Sequence, residues 1–384
     1  MELEVYLDNS STTRAYRACA EAVADVMYNS YGNPSSMHRK GIEAEKLVKT
    51  AREQIAATIK AAPGEIYFTS GGTESDNLAI LGVCRASRGR HILSTTIEHP
   101  AVLNTIKHLE GKGYVVELIP VLKDGTVDVE KLSRMIRKDT ALVTVMYVNN
   151  EIGTIEPVEK ISRIIKSKNP QTVFHIDAVQ AYGKIPFTAA STGADLISVS
   201  GHKIHGPKGI GALYVKNKTK LAPMIFGGGQ QNNLRPGTEN VPGIVGLGLA
   251  AEMCHEKLEK NIEKMTHLRD RLKRGIETEI DDIVVNTKAE NTAPHILNIS
   301  FADVKSEVLL HSLETDGIYV SSGSACSSHK NGPSYVLTSI GVDKKMIDGS
   351  IRFSLSEFNT EEEIDYTVTK LSENVAKIRK LLKR

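Results

Sequence analysis

Residues 172–211, TVFHIDAVQAYGKIPFTAASTGADLISVSGHKIHGPKGIG, contain two apolar runs that each end abruptly in polar chemistry. TVFHID and LISVSG are short, rich in Val, Ile and Phe, and bounded by Gly, Asp and Ser, which is the pattern of buried strands. The first ends in Asp177, with Gln180 three residues on, and the second leads into Ser200-Gly201-His202-Lys203-Ile204-His205-Gly206. A carboxylate closing an apolar strand is costly unless a cation or a donor meets it. A lysine set among histidines and glycines directly after such a strand is placed to be desolvated and to act as a nucleophile. Taken singly, Asp177 reads equally well as a helix cap, and a lone lysine is most often a surface residue.

Outward from this stretch the alternation continues on both sides. Short β-branched runs recur at EIYFTS ending at Ser70, HILSTT ending at Thr96, YVVELIPV, ALVTVMYV ending at Val148, and IGALYV. Helical patterns separate them; Leu47, Val48, Ala51, Ile55 and Ile59 recur at spacings of three or four. Between about residues 38 and 255 this predicts an α/β domain around a mostly parallel, seven-stranded sheet. After Pro242 a connecting helix is expected to run to about residue 280. Residues 283–384 then read as a smaller α+β domain, with strands near IVVNT, HILNISF, IYVSSG and SIRFSLS, a helix near 306–315 and a last helix from about 360. The expected division is a large domain over 15–260 and a small one built from 1–14 and 261–384.

Composition bounds the function. A chain of 384 residues with 40% apolar content can bury a full core, and a formal charge of +2 without a long run of one sign points to no nucleic-acid partner. The start, MELEVYLDNSSTT, lacks a basic region followed by an apolar stretch, and no later run is apolar enough to span a bilayer, so the cytoplasm is the expected compartment and no membrane partner is expected. Cys19, Cys84, Cys254 and Cys326 lie far apart, without the paired spacing of a zinc site or a redox dithiol, and no metal is expected. The basic end AKIRKLLKR reads as a solvated helix terminus favoured by its own dipole.

In parallel α/β sheets ligands bind beyond the carboxyl ends of strands. There, Gly71-Gly72-Thr73-Glu74 opens a helix after EIYFTS; alone, this turn is a helix cap or a phosphate site. Combined with Asp177 and Lys203 it matches what pyridoxal phosphate needs: an amine for its aldehyde, a carboxylate to keep the pyridine nitrogen protonated, and donors for its phosphate. A nicotinamide dehydrogenase is a weaker reading, because no G-x-G-x-x-G follows an early strand with an acidic residue beyond it.

With LDNSSTT near the start, YGNPSSMH at 31–38, FTSGGTESDNLAI at 68–80, EHPAV at 98–102, VNNEIG at 148–153, HIDAVQ at 175–180, SGHKIHGPKGIG at 200–211, GGGQ at 227–230, RPGTEN at 235–240, SSGSAC at 321–326 and SIRFSL at 350–355, the chain resembles the cysteine desulfurases of the nitrogen-fixation and iron–sulfur-cluster type. That resemblance implies the pyridoxal-phosphate transferase fold of type I, like that of aspartate aminotransferase. Lys203 looks like the lysine that bonds the cofactor aldehyde, Asp177 the partner of the pyridine nitrogen, Gln180 that of the ring hydroxyl, and His99 a ring-stacking proton shuttle. Gly72, Thr73, Ser200 and His202 match the phosphate donors, and Thr238 the residue that reaches the neighbouring subunit's cofactor in an obligate homodimer. Arg352 matches the clamp on the substrate carboxylate, with Asn150 as its helper.

Cys326 matches the nucleophile that takes sulfur from cysteine as a persulfide and leaves alanine. It sits in a small, polar, glycine-containing run, about 321–333, and SSGSAC marks the subgroup with a long mobile cysteine loop. The acceptor is expected to be another protein, a scaffold for iron–sulfur clusters or a tRNA-thiolation enzyme. A selenocysteine lyase or a small-amino-acid aminotransferase is the alternative within the same fold. Cys19, Cys84 and Cys254 fall in helical patterns and read as structural.

Overall fold

The computed structural model describes residues 3–288, 290, 292–322 and 333–382. Its strands are β1 (Val5–Tyr6), β2 (Ile66–Thr69), β3 (His91–Thr95), β4 (Val115–Ile119), β5 (Thr140–Met146), β6 (Val173–Asp177), β7 (Leu196–Ser200), β8 (Gly211–Val215), β9 (Ile283–Val285), β10 (Ile296–Phe301), β11 (Ile318–Tyr319) and β12 (Ser350–Ser354). β2 to β8 form one seven-stranded sheet in the order β2-β8-β7-β6-β5-β3-β4. β8 runs antiparallel to both neighbours, and the other pairs are parallel. Each of the seven apolar runs is therefore a strand of the expected sheet. Their continuous apolar character follows from position: β3, β5, β7 and β8 are buried along their whole length, with helices on both faces.

Helices α1 (Arg17–Asn29), α2 (Arg39–Thr58), α3 (Gly72–Ala86) and α4 (Pro100–Glu110) follow in chain order. α2 buries Ala44, Val48, Ala51 and Ile55, the stripe legible in the sequence. The expected single helix after Pro242 is instead two, Val241–Glu256 and Leu258–Glu279, with a break at Lys257. The two halves have different partners. The first is apolar on nearly every side and packs on α1 and α2, whereas the second buries only Asn261, Met265, Leu268, Leu272 and Ile276 along one stripe.

A second sheet, β12-β10-β9, is antiparallel throughout. Within IYVSSG, Ile318–Tyr319 pairs in parallel with β1, and Ser321 makes a single antiparallel bridge to Arg352 of β12. The N-terminal segment takes that position because Leu7 and Val5 belong to the same apolar cluster as Leu297, Phe301, Ile318 and Phe353. The segment then continues past β12, where Ser354 N–H donates to the Leu7 carbonyl at 2.7 Å. This route carries residues 8–13 toward the carboxyl ends of β6 and β7.

Candidate active site

Asp177 is the last residue of β6 and Ser200 the last of β7; a single 3-10 turn, Gly201–Lys203, then brings Lys203 back over the sheet edge. Around them the structure forms a cleft of about 220 Å³ that also collects Gly72, Thr73, His99, Asn150, Gln180, His202 and Arg352. Ten residues named from sequence, scattered from 72 to 352, thus face one cavity. Thr238 does not: it lies on an exposed segment outside the cleft. Cys326 lies outside the described residues. Ser321, five positions earlier, exchanges backbone hydrogen bonds with Arg352 at 2.7 and 3.2 Å, so the chain leading to the cysteine departs from beside the cleft.

The glycine turn is built for close approach. Gly71 has φ +155, a region side chains rarely adopt, and a Cβ on Gly72 would stand 2.7 Å from Val179 Cγ2. The first bond of α3 runs from Ser75 N–H to the Gly71 carbonyl, so the amides of residues 72 to 74 have no acceptor within the helix and point toward an anion site. Glu74 is drawn away from that site: its carboxylate takes Ser70 N–H at 2.9 Å and a two-point contact from Arg235 at 2.8 and 3.2 Å.

Asp177 is 3% exposed. Burial pushes its carboxyl up to about 6, while the Val179 N–H bond and the nearby Lys203 charge pull it down. A cationic ring nitrogen placed against this group would favour its ionised form. Lys203 Nζ donates to the carbonyls of Ser10 at 2.5 Å and Ser11 at 2.7 Å. Gln180 Nε2 donates to the same Ser10 carbonyl at 2.9 Å.

His99 caps α4: its Nδ1 accepts Ala101 N–H at 3.1 Å, and Pro100 at the first helical position fixes the chain direction. Burial first, and the Lys203 charge second, hold the imidazole down to about 4, so it is neutral at ordinary pH. With Nδ1 accepting, the single proton resides on Nε2, and the ring enters chemistry as a donor. It accepts a proton only at Nδ1, by giving up the cap. His202 is likewise lowered to about 4, by burial and then by Lys203 and Lys208, and its Nδ1 lies 3.2 Å from Thr12 Oγ1.

Arg352 is 2% exposed. Nη1 donates to the Asn150 carbonyl at 2.9 Å, and Nη2 to Asp8 Oδ1 at 2.7 Å and Ser11 Oγ at 2.8 Å. Its Nε–H meets no acceptor among the described residues. A buried guanidinium with a spare N–H is the chemistry of a carboxylate site. Asn150 meets it through its backbone carbonyl, not through its side-chain amide.

Ser10, Ser11 and Asp76 also line the cleft and Asp8 bonds Arg352, although no local feature of the sequence assigns them a role. LDNSSTT was visible as a motif, but nothing local says that its carbonyls and hydroxyl meet Lys203 and Arg352. Asp76 lies one turn into α3 and is fully buried, with Oδ1 3.6 Å from His175 Nε2; burial and then the Asp177 charge hold its carboxyl well above the usual range. The other three cysteines are buried thiols, raised by burial to about 11 (Cys19 and Cys254) and about 12 (Cys84), which agrees with structural roles.

Together, an amine, a buried carboxyl, a glycine cradle at a helix N-terminus and hydroxyl and imidazole donors fit pyridoxal phosphate, the chain's cofactor. Among the described residues no group of His, Cys, Asp or Glu is arranged to hold a metal ion, and no helix is long and apolar enough to cross a membrane.

Comparison with known proteins agrees with this geometry. The aminotransferase class-V model matches residues 5–367. A cysteine desulfurase IscS of Dictyoglomus turgidum is 45% identical over 381 residues, covering 99% of this chain and 96% of that protein. A cysteine desulfurase of Nostoc sp. is 46% identical over 378 residues, covering 98% and 94%. A solved NifS-like protein superposes with a TM-score of 0.92 at 41% identity, covering 97% of this chain and 100% of the other. With likeness of this depth running from end to end, and a lysine, a carboxyl and an arginine facing one cleft, the chain belongs to the class-V aminotransferase family, among its cysteine desulfurases.

Proposed function

We infer that this protein is a pyridoxal-phosphate-dependent cysteine desulfurase, and that it converts L-cysteine to L-alanine while holding the sulfur as a persulfide on Cys326. The observation that carries this reading is the convergence of the Lys203 amine, Asp177 and the Arg352 guanidinium on one buried cleft. In the proposed roles, Lys203 bonds the cofactor, Asp177 faces its ring nitrogen, Gln180 its hydroxyl and His99 its ring face. Gly72, Thr73, Ser200 and His202 hold its phosphate. The bound cofactor supplies a sink for the electron pair left at the substrate's α-carbon.

The chain's own residues do the rest. Arg352 takes the cysteine carboxylate through the N–H that meets no acceptor among the described residues, with Asn150 beside it. The amine of Lys203 removes the α-proton. The Cys326 thiolate attacks the substrate sulfur: an S–S bond forms, the substrate C–S bond breaks, and its electron pair stays with carbon, where protonation yields alanine. His99, carrying its proton on Nε2, is placed to donate in this step.

Two further parts belong to the proposal. The protein works as a homodimer in which Thr238 completes the neighbouring subunit's phosphate site, and the persulfide passes to an acceptor protein, an iron–sulfur scaffold or a tRNA-thiolation enzyme. Residues 15–260 form the cofactor-binding domain, and 1–14 with 261–384 the small domain that carries Cys326.

Cys326→Ser tests the central claim. Sulfide and alanine release from cysteine should fall to background while the visible band of the bound cofactor persists. Continued desulfuration by the variant would overturn the persulfide assignment and favour a mechanism without a cysteine nucleophile.

A further inference from the structure

One residue touches both chemical ends of the cleft. The Ser11 carbonyl accepts from Lys203 Nζ at 2.7 Å, and the Ser11 hydroxyl accepts from Arg352 Nη2 at 2.8 Å. The same hydroxyl donates to Asp8 Oδ1 at 2.8 Å, and that oxygen also receives Arg352 Nη2 at 2.7 Å. Ser11, Asp8 and Arg352 therefore close a small ring of hydrogen bonds, in which the hydroxyl uses its proton and a lone pair together.

The segment holding this ring is anchored on both sides. Toward β12, Ser10 N–H donates to Ser354 Oγ at 2.8 Å and Asn9 Nδ2 to the Ser354 carbonyl at 3.0 Å, two residues beyond the arginine. Toward β7, Thr13 donates to the His202 carbonyl through N–H at 3.0 Å and through Oγ1 at 2.9 Å, one residue before the lysine. Five residues of chain thus measure the gap between a side chain from the large sheet and one from the small sheet. Arg352 has three methylene groups of its own freedom, and with both Nη2 hydrogens engaged and one Nη1 hydrogen on Asn150 that freedom is removed.

We propose that Ser11 is a positioning residue that fixes the span between the Lys203 amine and the Arg352 guanidinium, and so selects amino acids whose amine and carboxylate share one carbon. It rests on the roles proposed above for Lys203 and Arg352. A substrate must present its amine where the lysine nitrogen acts and its carboxylate at the arginine at the same time. A fixed span accepts an α-amino acid and penalises a β-amino acid, whose groups are one carbon further apart. Loss of the hydroxyl leaves Asp8 and Arg352 free to pair in several geometries, and the span becomes loose.

The test uses the cofactor-loaded enzyme and two ligands, L-alanine and β-alanine, titrated calorimetrically alongside steady-state kinetics with L-cysteine. Ser11→Ala should raise KM roughly tenfold with kcat changed less than about twofold, weaken L-alanine by a similar factor, and narrow its advantage over β-alanine. In an Arg352→Lys background the same substitution should add no further loss, because the hydroxyl acts through the guanidinium. Wild-type KM and L-alanine affinity in S11A, or losses that add fully to those of R352K, would overturn the role of Ser11 alone. Wild-type L-alanine affinity in Arg352→Ala would instead overturn the carboxylate assignment on which it depends.

Discussion

Glu98 stands beside His99, fully buried, with Oε1 accepting from Thr95 Oγ1 at 2.6 Å and from Met146 N–H at 2.9 Å. Those bonds favour its ionised form, but burial outweighs them and, with the Asp177 charge, pushes the carboxyl up to about 8. A folded-state value above the unfolded one means that the folded protein holds a proton the unfolded chain releases. The associated stability is complete below the ordinary carboxylate range, about 4.5, and is lost as pH rises toward 8. Glu98→Gln keeps an oxygen for both donors and cannot ionise. Its melting temperature should exceed the wild-type value by a margin that grows from pH 5 to pH 8, measured by scanning calorimetry; an equal margin at both pH values would place the proton elsewhere. His175 behaves in the opposite sense: burial lowers it to about 3, so it stays neutral while Thr144 and Ser198 bond its two nitrogens at 2.8 and 2.9 Å.

At the scale of elements, the N-terminus of α3 works because two glycines let it approach the end of β7. Gly72→Ala places a methyl group 2.7 Å from Val179 Cγ2, too close for both to keep their places, while Ser200 Cβ at 3.7 Å stays in ordinary contact. The turn must shift, and the amides of residues 72 to 74 shift with it. The expected outcome is cofactor affinity weakened roughly tenfold to a hundredfold, read by fluorescence titration of the apoprotein, with kcat at saturating cofactor reduced much less. Unchanged affinity would remove the turn from the phosphate site. The same element explains why the glycine signal was ambiguous in sequence: a cap and an anion cradle use the same unsatisfied amides, and only what faces them distinguishes the two.

At the scale of the molecule, the arch from Gly227 to Asn240 is held to the body of the chain while Thr238 remains exposed. Arg235 grips Glu74 in the first turn of α3, Gly237 N–H donates to Gln230 Oε1 at 3.0 Å, and Gln231 Oε1 takes Phe68 N–H at 3.1 Å from the edge strand β2. Such anchoring presents Thr238 outward, as the proposed shared site requires. Mixed dimers separate the alternatives: a Thr238→Ala subunit paired with a Lys203→Ala subunit should keep one fully competent site, with wild-type KM and about half the activity. If Thr238 served its own subunit, that dimer would show the defect of T238A alone, and the shared-site reading would fail.

The sequence by itself determined the strands of the large sheet and which polar residues stand at their ends, those proposed here to be reactive. Both are local properties: a buried strand needs an unbroken apolar run, and a functional residue in this architecture follows such a run directly, as Asp177 and Lys203 do. Only the tertiary structure decided what surrounds those residues. That Ser11 lies between Lys203 and Arg352, that Asp76 and Glu98 are buried near Asp177, that the helix after Pro242 breaks at Lys257 and that Ile318–Tyr319 pairs with β1 all depend on segments far apart in the chain meeting in space. Charge states follow the same rule, because a carboxyl or imidazole takes its protonation from burial and neighbours, and no residue's own letter records those.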